Sequence, residues 1–430
     1  MKDIFKTIIK DFHTSKLKDT KKRRIELPIG SNAIISVIGV RRSGKTFLLF
    51  ETIKRLLASN VPIEKILYIN FEDERLDLRA KDLDLLLQSY LELYPQNDLK
   101  SCYFFFDEIQ NVNGWEKFIR RVFDTINTNI FITGSNSKLL STDIATSLRG
   151  RTMTFTIYPL DFREYINFKN IDTDYYGSKQ KAELFNSYME FLQYGGFPEI
   201  LELPQSLKIR RLQNYFDTII YKDLIERYQI KHPLVLKYFI KKIFNQITKP
   251  LSVNKIYNDL KSQGYKISNN MLYEYLEYIK TTFTALLIPK FDFSEIKQLK
   301  SDKKAYSIDN GLLTATNFSF SKNYGALFEN MLALEFLKYE KQIYYYKNVY
   351  ECDFVVQNGN DYRPVQASYS LQQQETFDRE IKGLIKACEY FKVKQGFIIT
   401  NDYEDNMSKN GISIQFVPAY KFMIDIKKYF

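Results

Sequence analysis

The chain has 430 residues, of which 45% are hydrophobic, and a formal net charge of +11. These values exclude wholesale disorder and leave room for about two to four domains with real cores. The basic excess suits a polyanionic partner or plain solubility, because the lysines are spread rather than clustered.

No apolar run reaches the roughly 18–20 residues that a membrane span needs. The opening MKDIFKTIIKDFHTSKLKDTKKRR has no signal-peptide core, so a cytoplasmic protein without a membrane partner is expected. Three distant cysteines, Cys102, Cys352 and Cys388, give no disulfide framework. Two histidines, His13 and His232, argue against a His/Cys zinc site.

Residues 1–25 read as an N-terminal helical arm whose tight basic cluster, Lys21-Lys22-Arg23-Arg24, is expected to be solvated. Residues 26–160 read as the next domain, an α/β core. The stretch AIISVIGVRRSGKTFLLFETIKRLL opens with an apolar strand, Ala33 to Ile38. It then passes through Gly39-Val40-Arg41-Arg42-Ser43-Gly44-Lys45-Thr46 and enters an amphipathic helix at Phe47. Strand, GxxxxGK[ST] and helix in that order form a phosphate loop. Its glycines let backbone N–H groups close around phosphate oxygens, and the helix N-terminus adds partial positive charge. Lys45 can reach the β- and γ-phosphates, and the Thr46 hydroxyl can ligate Mg²⁺.

The stretch CYFFFDEIQ supplies the second half of such a site. Tyr103 to Phe106 make the wholly apolar run of a central parallel strand. At its end Asp107 can hold Mg²⁺ through water, and Glu108 can orient and polarise the attacking water. The two motifs together predict ATP or GTP hydrolysis.

Further strands are expected in ILYINFED (66–73), NIFITGSNS (129–137) and RTMTFTIYPL (151–160), with helices between them. Strands alternating with helices predict a parallel sheet covered on both faces, with ligand at the strand C-termini. Ser135 or Asn136 stands where a polar sensor of the γ-phosphate would sit. Arg149 and Arg151 precede the fifth strand, where ring ATPases carry an arginine that reaches the neighbouring subunit; two surface arginines would look the same.

Residues 161–232 read as a helical lid broken by QYGGFPEI. Residues 233–295 read as a winged helix-turn-helix, with a turn at Gly264 and FTALLIPKFDF as the wing. Asn269 and Asn270 open its second helix, but Glu274 and Glu277 would face phosphates, which favours structural or protein-binding use over DNA.

Residues 300–430 read as an α/β domain with two strands, YECDFVV and YRPVQASYS, joined at Asn358-Gly359-Asn360. With Gly359-Asn360 as the loop, Asp353 faces Gln366, and Ser368 follows on the same face. Glu329 lies near the start of the helix GALFENMLALEFLKYE. Nucleases of the restriction-endonuclease type carry an acid on one such strand and acid–x–lysine on the next. Here Gln366 and Ser368 replace the acid and the lysine, so Glu329, Asp353, Gln366 and Ser368 make a degenerate site. Lys382 or Lys386 could stand in for the missing lysine.

On GVRRSGKT, FFFDEIQNVNGWE, FITGSNSKLL, LRGR, YPLDFREY, YGGFPE, GALFENMLALEFL and ECDFVV, the chain resembles a large prokaryotic family of AAA+-like ATPases over most of its length. Members have a P-loop core, a helical lid, a winged-helix segment and a C-terminal restriction-endonuclease-like domain. The resemblance implies an ATP-driven homo-oligomer that uses ATP and Mg²⁺, in defence, mobile-element or toxin–antitoxin contexts, with DNA or protein as further partner. It supports Lys45, Thr46, Asp107 and Glu108 as the ATPase core and Arg149 or Arg151 as the finger. The expected fold class is α/β: a P-loop AAA+-like parallel sheet, a lid, a winged helix-turn-helix and a nuclease-like domain used for binding or assembly. The alternatives are an ATP-gated nuclease and a nucleotide-dependent DNA-binding regulator.

Overall fold

Five short apolar strands build the centre of the first half of the chain: β1 (Ile34–Ile38), β2 (Ile66–Asn70), β3 (Tyr103–Asp107), β4 (Ile130–Gly134) and β5 (Thr152–Thr156). The structure is a computed structural model and describes residues 1–135, 148, 150–174, 176–316 and 323–430. These fall into two compact units, Met1–Ile157 and Tyr158–Phe430.

In the first unit the five strands are parallel, in the order β2-β3-β4-β1-β5. Both β1 and β4 are buried along their whole length, as expected of strands covered on two faces. Helix α2 (Lys45–Ala58) lays Leu48, Leu49, Ile53 and Leu56 into a core with Ile35, Val37, Phe105 and Phe131. The order puts β4 between the strand that feeds the phosphate loop and the strand that ends in Asp107.

Helix α1 (Lys2–Thr14) is not a free arm. Its apolar stripe buries Phe5, Ile8 and Ile9, and His13 bonds through Nδ1 to the Tyr94 hydroxyl (2.6 Å) and through Nε2 to the Ile66 carbonyl (2.8 Å). Helices α3 (Leu83–Leu93) and α4 (Trp115–Thr125) also belong to this unit.

The second unit begins with α5 (Phe162–Phe168), α6 (Ser178–Tyr194) and α7 (Gln205–Thr218), which continues as a π-helical stretch, Ile219–Glu226. Next come α8 (Pro233–Asn245), α9 (Val253–Ser262) and α10 (Asn269–Thr281), with β6 (Pro250–Leu251), β7 (Ala285–Pro289) and β8 (Lys303–Ser307). The three strands are antiparallel, in the order β6-β8-β7. Strand β8 lies beyond residue 300. The partner of β7 therefore comes from a stretch that the sequence reading assigned to the last domain.

After α11 (Glu295–Lys300), α12 (Asn310–Thr316) and α13 (Tyr324–Lys338), a six-stranded sheet follows. Its strands are β9 (Gln342–Lys347), β10 (Glu351–Asn358), β11 (Asp361–Ser368), β12 (Gln395–Thr400), β13 (Asp405–Lys409) and β14 (Ile412–Pro418), in the order β13-β14-β12-β11-β10-β9. One face packs Phe354, Val356, Val365 and Phe397 on Phe328, Met331, Leu332 and Phe336 of α13. The other packs Cys352, Val355, Ile398 and Ile414 on Ile381, Leu384 and Ile385 of α14 (Gln374–Phe391).

Three sequence-distant motifs meet in this unit. Leu160 of YPLDFREY donates its N–H to Gly196 O (2.8 Å) and accepts from Lys338 Nζ (2.8 Å). Gly196 of YGGFPE donates its N–H to Asp309 Oδ2 (2.8 Å). Gly195 has φ +73, and a Cβ there would stand 1.8 Å from Asp309 Oδ1, so only glycine fits.

Candidate functional site

Strand β1 ends at Ile38, and the chain turns at once at Gly39, with φ +151. A Cβ on Gly39 would stand 2.0 Å from the Ile157 carbonyl, so the loop depends on glycine there. Arg42 (φ +67) and Gly44 (φ +99) are also left-handed, and Gly44 caps α2. This backbone directs the loop over the start of α2, where free N–H groups favour an anion. The Ser43 hydroxyl is buried and has no hydrogen-bond partner among the described residues, so a polar group is left over inside the loop. Val40 is buried, Arg41 Nη1 pairs with Glu72 Oε1 (2.8 Å), and Phe47 is 42% exposed at the first turn of α2.

Lys45 is nearly buried. Its ammonium donates to the carbonyls of Gly39 (3.2 Å) and Val40 (3.4 Å) and lies 3.3 Å from Glu108 Oε1. The Thr46 hydroxyl donates to Asp107 Oδ2 (2.8 Å). The structure therefore brings Lys45, Thr46, Asp107 and Glu108 together, although sixty residues separate the two motifs. Glu108 sits at φ +54, a conformation that costs free energy in a residue with a Cβ and that turns its side chain back toward the loop.

Two residues that sequence reasoning did not single out complete the carboxylate's surroundings. The Tyr68 hydroxyl, from β2, donates to Asp107 Oδ2 (3.0 Å). The Thr133 hydroxyl, from β4, donates to Asp107 Oδ1 and accepts the Glu108 N–H (2.9 Å). A lone polar residue inside an apolar strand was the available signal for Thr133. Ser135 is buried, and its N–H donates to Glu108 Oε2 (3.2 Å). Asn136 and Arg149 lie outside the described residues. Arg151 Nε donates to Asp124 Oδ1 (2.6 Å).

The two acids respond differently to burial. Burial, then the Glu108 charge, push the Asp107 carboxyl above the usual range despite its three hydroxyl donors. Burial pushes Glu108 up as well, but Lys45, Gln110 and Arg41 more than offset it and hold the carboxyl below its ordinary value. Glu108 is thus kept ionised, as a group that polarises water must be. Thr46 and Asp107 are the pair that could hold Mg²⁺, a hard cation that takes oxygen ligands.

A second charged cluster lies in the other unit. The hairpin register pairs Asn358 with Asp361 and Phe354 with Val365, so Asp353 meets Gln366. The Asp353 N–H donates to Gln366 Oε1 (3.2 Å), and Asp353 Oδ2 accepts the Ala367 N–H (3.1 Å). Glu329 is joined to Asp353 through Lys304 of β8, whose Nζ lies 3.0 Å from Glu329, 3.2 Å from Asp353 and 2.8 Å from Glu351. Burial would push this ammonium down, but Glu329, Tyr306, Asp353 and Glu351 hold its pKa well above the ordinary value. Gln366 Nε2 donates to Glu380 of α14, which also pairs with Arg379 (2.6 Å). Gly383 lets α14 cross β10 closely, since a Cβ there would stand 2.2 Å from the Glu351 carbonyl.

Lys304, Glu351 and Glu380 were not found from sequence, because they come from three different elements. The Ser368 hydroxyl donates to the Ser370 carbonyl (3.2 Å) rather than into the cluster. Lys386 pairs with Glu389 at the surface, and Lys382 is exposed, so neither replaces the missing lysine. Among the described residues no group of three or more His, Cys, Asp and Glu side chains is arranged to hold a metal ion.

Comparison with known proteins finds three domain families along the chain. An AAA domain family matches residues 31–166. A domain of unknown function (DUF8612) matches residues 185–322, and another (DUF4143) matches residues 324–422. The chain is 37% identical over 401 residues to an uncharacterised protein of Methanocaldococcus jannaschii, covering 91% of this chain and 87% of that protein. It is 31% identical over 382 residues to an uncharacterised protein of Haemophilus influenzae, covering 89% and 92%. Among solved structures, the Walker-type ATPase PABY2304 of Pyrococcus abyssi aligns with a TM-score of 0.44 and 17% identity, over 66% of this chain and 90% of that one. The Aeropyrum pernix ORC1 protein, solved in complex with DNA, aligns with a TM-score of 0.30 and 12% identity, over 69% and 87%. No helix among the described residues is long and apolar enough to cross a membrane.

Proposed function

This chain belongs to one family with the Methanocaldococcus and Haemophilus proteins and carries an AAA-type ATPase domain; from that premise we propose that it hydrolyses ATP with Mg²⁺, in an assembly of like subunits. The observation that carries this reading is the convergence of Lys45, Thr46, Asp107 and Glu108 at the C-terminal ends of β1 and β3. Mg²⁺, when bound, supplies a Lewis acid on the phosphates. Lys45 neutralises phosphate charge, Thr46 and Asp107 orient the cation, and Glu108 takes the proton of the attacking water. Arg151, or Arg149 beside it, is the candidate for a contact across subunits. The test is ATP turnover by purified protein beside Lys45→Ala and Glu108→Gln. A protein that fails to bind ATP, or a Glu108→Gln variant with full turnover, sinks this reading.

The C-terminal domain is assigned to binding or assembly rather than cutting. Phosphodiester cleavage by metal needs anionic oxygens free to hold the cation. Here Glu329, Glu351 and Asp353 share one lysine ammonium, and the second-strand positions are the neutral Gln366 and Ser368. Residues 233–295, read as a winged helix-turn-helix, expose Asn270, Tyr273, Glu274 and Glu277 on α10, which favours a protein partner over phosphates. A second reading, a nuclease, is favoured by Lys304 and Glu380 themselves, which bring a lysine and a further acid to the hairpin. DNA and RNA cleavage with Mn²⁺ that disappears in Asp353→Ala would decide for it.

A further inference from the structure

The segment between α1 and β1 carries the basic cluster Lys21-Lys22-Arg23-Arg24, which the sequence reading placed in solvent. Arg23 is instead half-buried against the phosphate loop. Its Nη1 donates to the Ser43 carbonyl (2.9 Å), and its own N–H reaches Glu51 Oε2 of α2 (3.4 Å). The same Nη1 stands 3.2 Å from the place a Cβ on Gly44 would take. Lys18 approaches the same helix, with Nζ 5.9 Å from the centre of the Phe47 ring. Two cationic side chains of this segment thus border the last residues of the loop and the first turn of α2.

The contact with Ser43 has a consequence through the peptide plane. The Ser43 carbonyl and the Gly44 N–H belong to one peptide unit, and in a trans peptide they point in opposite directions. Holding the carbonyl toward Arg23 therefore turns the Gly44 N–H away from Arg23. Gly44 is left-handed and has no Cβ, so its backbone is otherwise easily rotated. The guanidinium also adds positive charge beside a helix N-terminus that favours anions.

We propose that Arg23 is a positioning residue of the nucleotide site: it fixes the Ser43–Gly44 peptide in its phosphate-accepting orientation, and the segment from Lys18 to Arg23 forms an outer wall of that site. This rests on the ATP-binding reading above. It is deeper than that reading, because a phosphate loop can bind ATP without any such segment.

The experiment is ATP binding to the full chain by calorimetry with Mg²⁺, for the parent, Arg23→Ala and Arg23→Lys, with Lys45→Ala as control. Arg23→Ala is expected to weaken ATP binding about tenfold, as for a hydrogen bond made by a charged group, while kcat at saturating ATP stays within about twofold. Arg23→Lys should recover part of the affinity. In the parent, saturating ATP should slow tryptic cleavage at Lys21, Lys22 and Arg24. A parent that binds ATP beside an Arg23→Ala variant of equal affinity overturns the proposal and leaves the ATPase reading standing. Cleavage of the segment that ATP does not slow overturns it too, even if Arg23→Ala fails to fold. A parent that does not bind ATP overturns both.

Discussion

The Lys45 ammonium lies 3.3 Å from the Glu108 carboxylate, and neither side chain is more than 9% exposed. The proposed phosphate-binding cation and the proposed base are therefore partners in this state of the site. On the proposed reading a nucleotide would compete with Glu108 for the lysine, and the displaced Glu108 would then be available to act on water. Glu108→Gln weakens that competition and removes the base. It should bind ATP at least as tightly as the parent and turn it over about a hundredfold more slowly or worse. Lys45→Ala should lose binding. Single-turnover kinetics beside equilibrium binding separate the two effects, and a Gln variant with weakened binding but normal chemistry would reverse the assignment.

Tyr68 donates to the Asp107 oxygen that also accepts from Thr46. Tyr68→Phe keeps the ring in its core and removes only the hydroxyl. One lost hydrogen bond to a buried carboxylate is worth about 1.5–3 kcal/mol. The variant should fold, bind ATP and need several-fold more Mg²⁺ for half-maximal turnover. An unchanged Mg²⁺ requirement would show that Thr46 and Thr133 hold Asp107 by themselves.

Lys304 is 1% exposed and shared by Glu329, Glu351 and Asp353. Lys304→Met keeps the stem and deletes the charge, leaving the carboxylates without their common cation. Removing one partner of a buried ion pair typically costs about 3–5 kcal/mol. The variant should melt lower than the parent, and millimolar Mn²⁺ should restore part of the loss in the variant while leaving the parent unmoved. A variant as stable as the parent would show that the cluster is neutral without the lysine.

Glu335 is wholly buried beside Lys338, at 3.2 Å, and burial, which outweighs that ammonium, pushes its carboxyl up to about 7. Asp309, buried under Gly195 and Gly196, is pushed up to about 6 by the same cause. Both values are raised above the unfolded ones. The stability that these groups contribute is therefore present in full below the ordinary carboxylate range and is gone once the pH has risen through 6 and 7. Between about pH 5.5 and about pH 8 the second unit should lose on the order of 2 kcal/mol. Urea midpoints at the two pH values, beside Glu335→Gln, check this. The Gln variant should show the smaller pH dependence, and an equal one would remove Glu335 as a source.

The parts of this protein that are consecutive in the chain were legible in the sequence. The phosphate loop and Asp107-Glu108 are local: a strand, a turn and a helix start are set by neighbouring residues, and the strand ends place them. The Asp353–Gln366 pairing was equally legible, because a two-residue turn at Gly359-Asn360 sets the register and side chains alternate with period two. Thr133 and Tyr68 reach Asp107 only because the strand order puts β2 on one side of β3 and β4 on the other. Lys304 enters the carboxylate cluster from β8, and Glu380 from a helix that Gly383 lets sit close to β10. Arg23 looked like one more exposed arginine until its chain was seen to run beside Ser43. Each of these contacts joins groups that are distant in the chain. They depend on which elements the cores pack side by side, and a pattern of residue types along one segment carries no record of that.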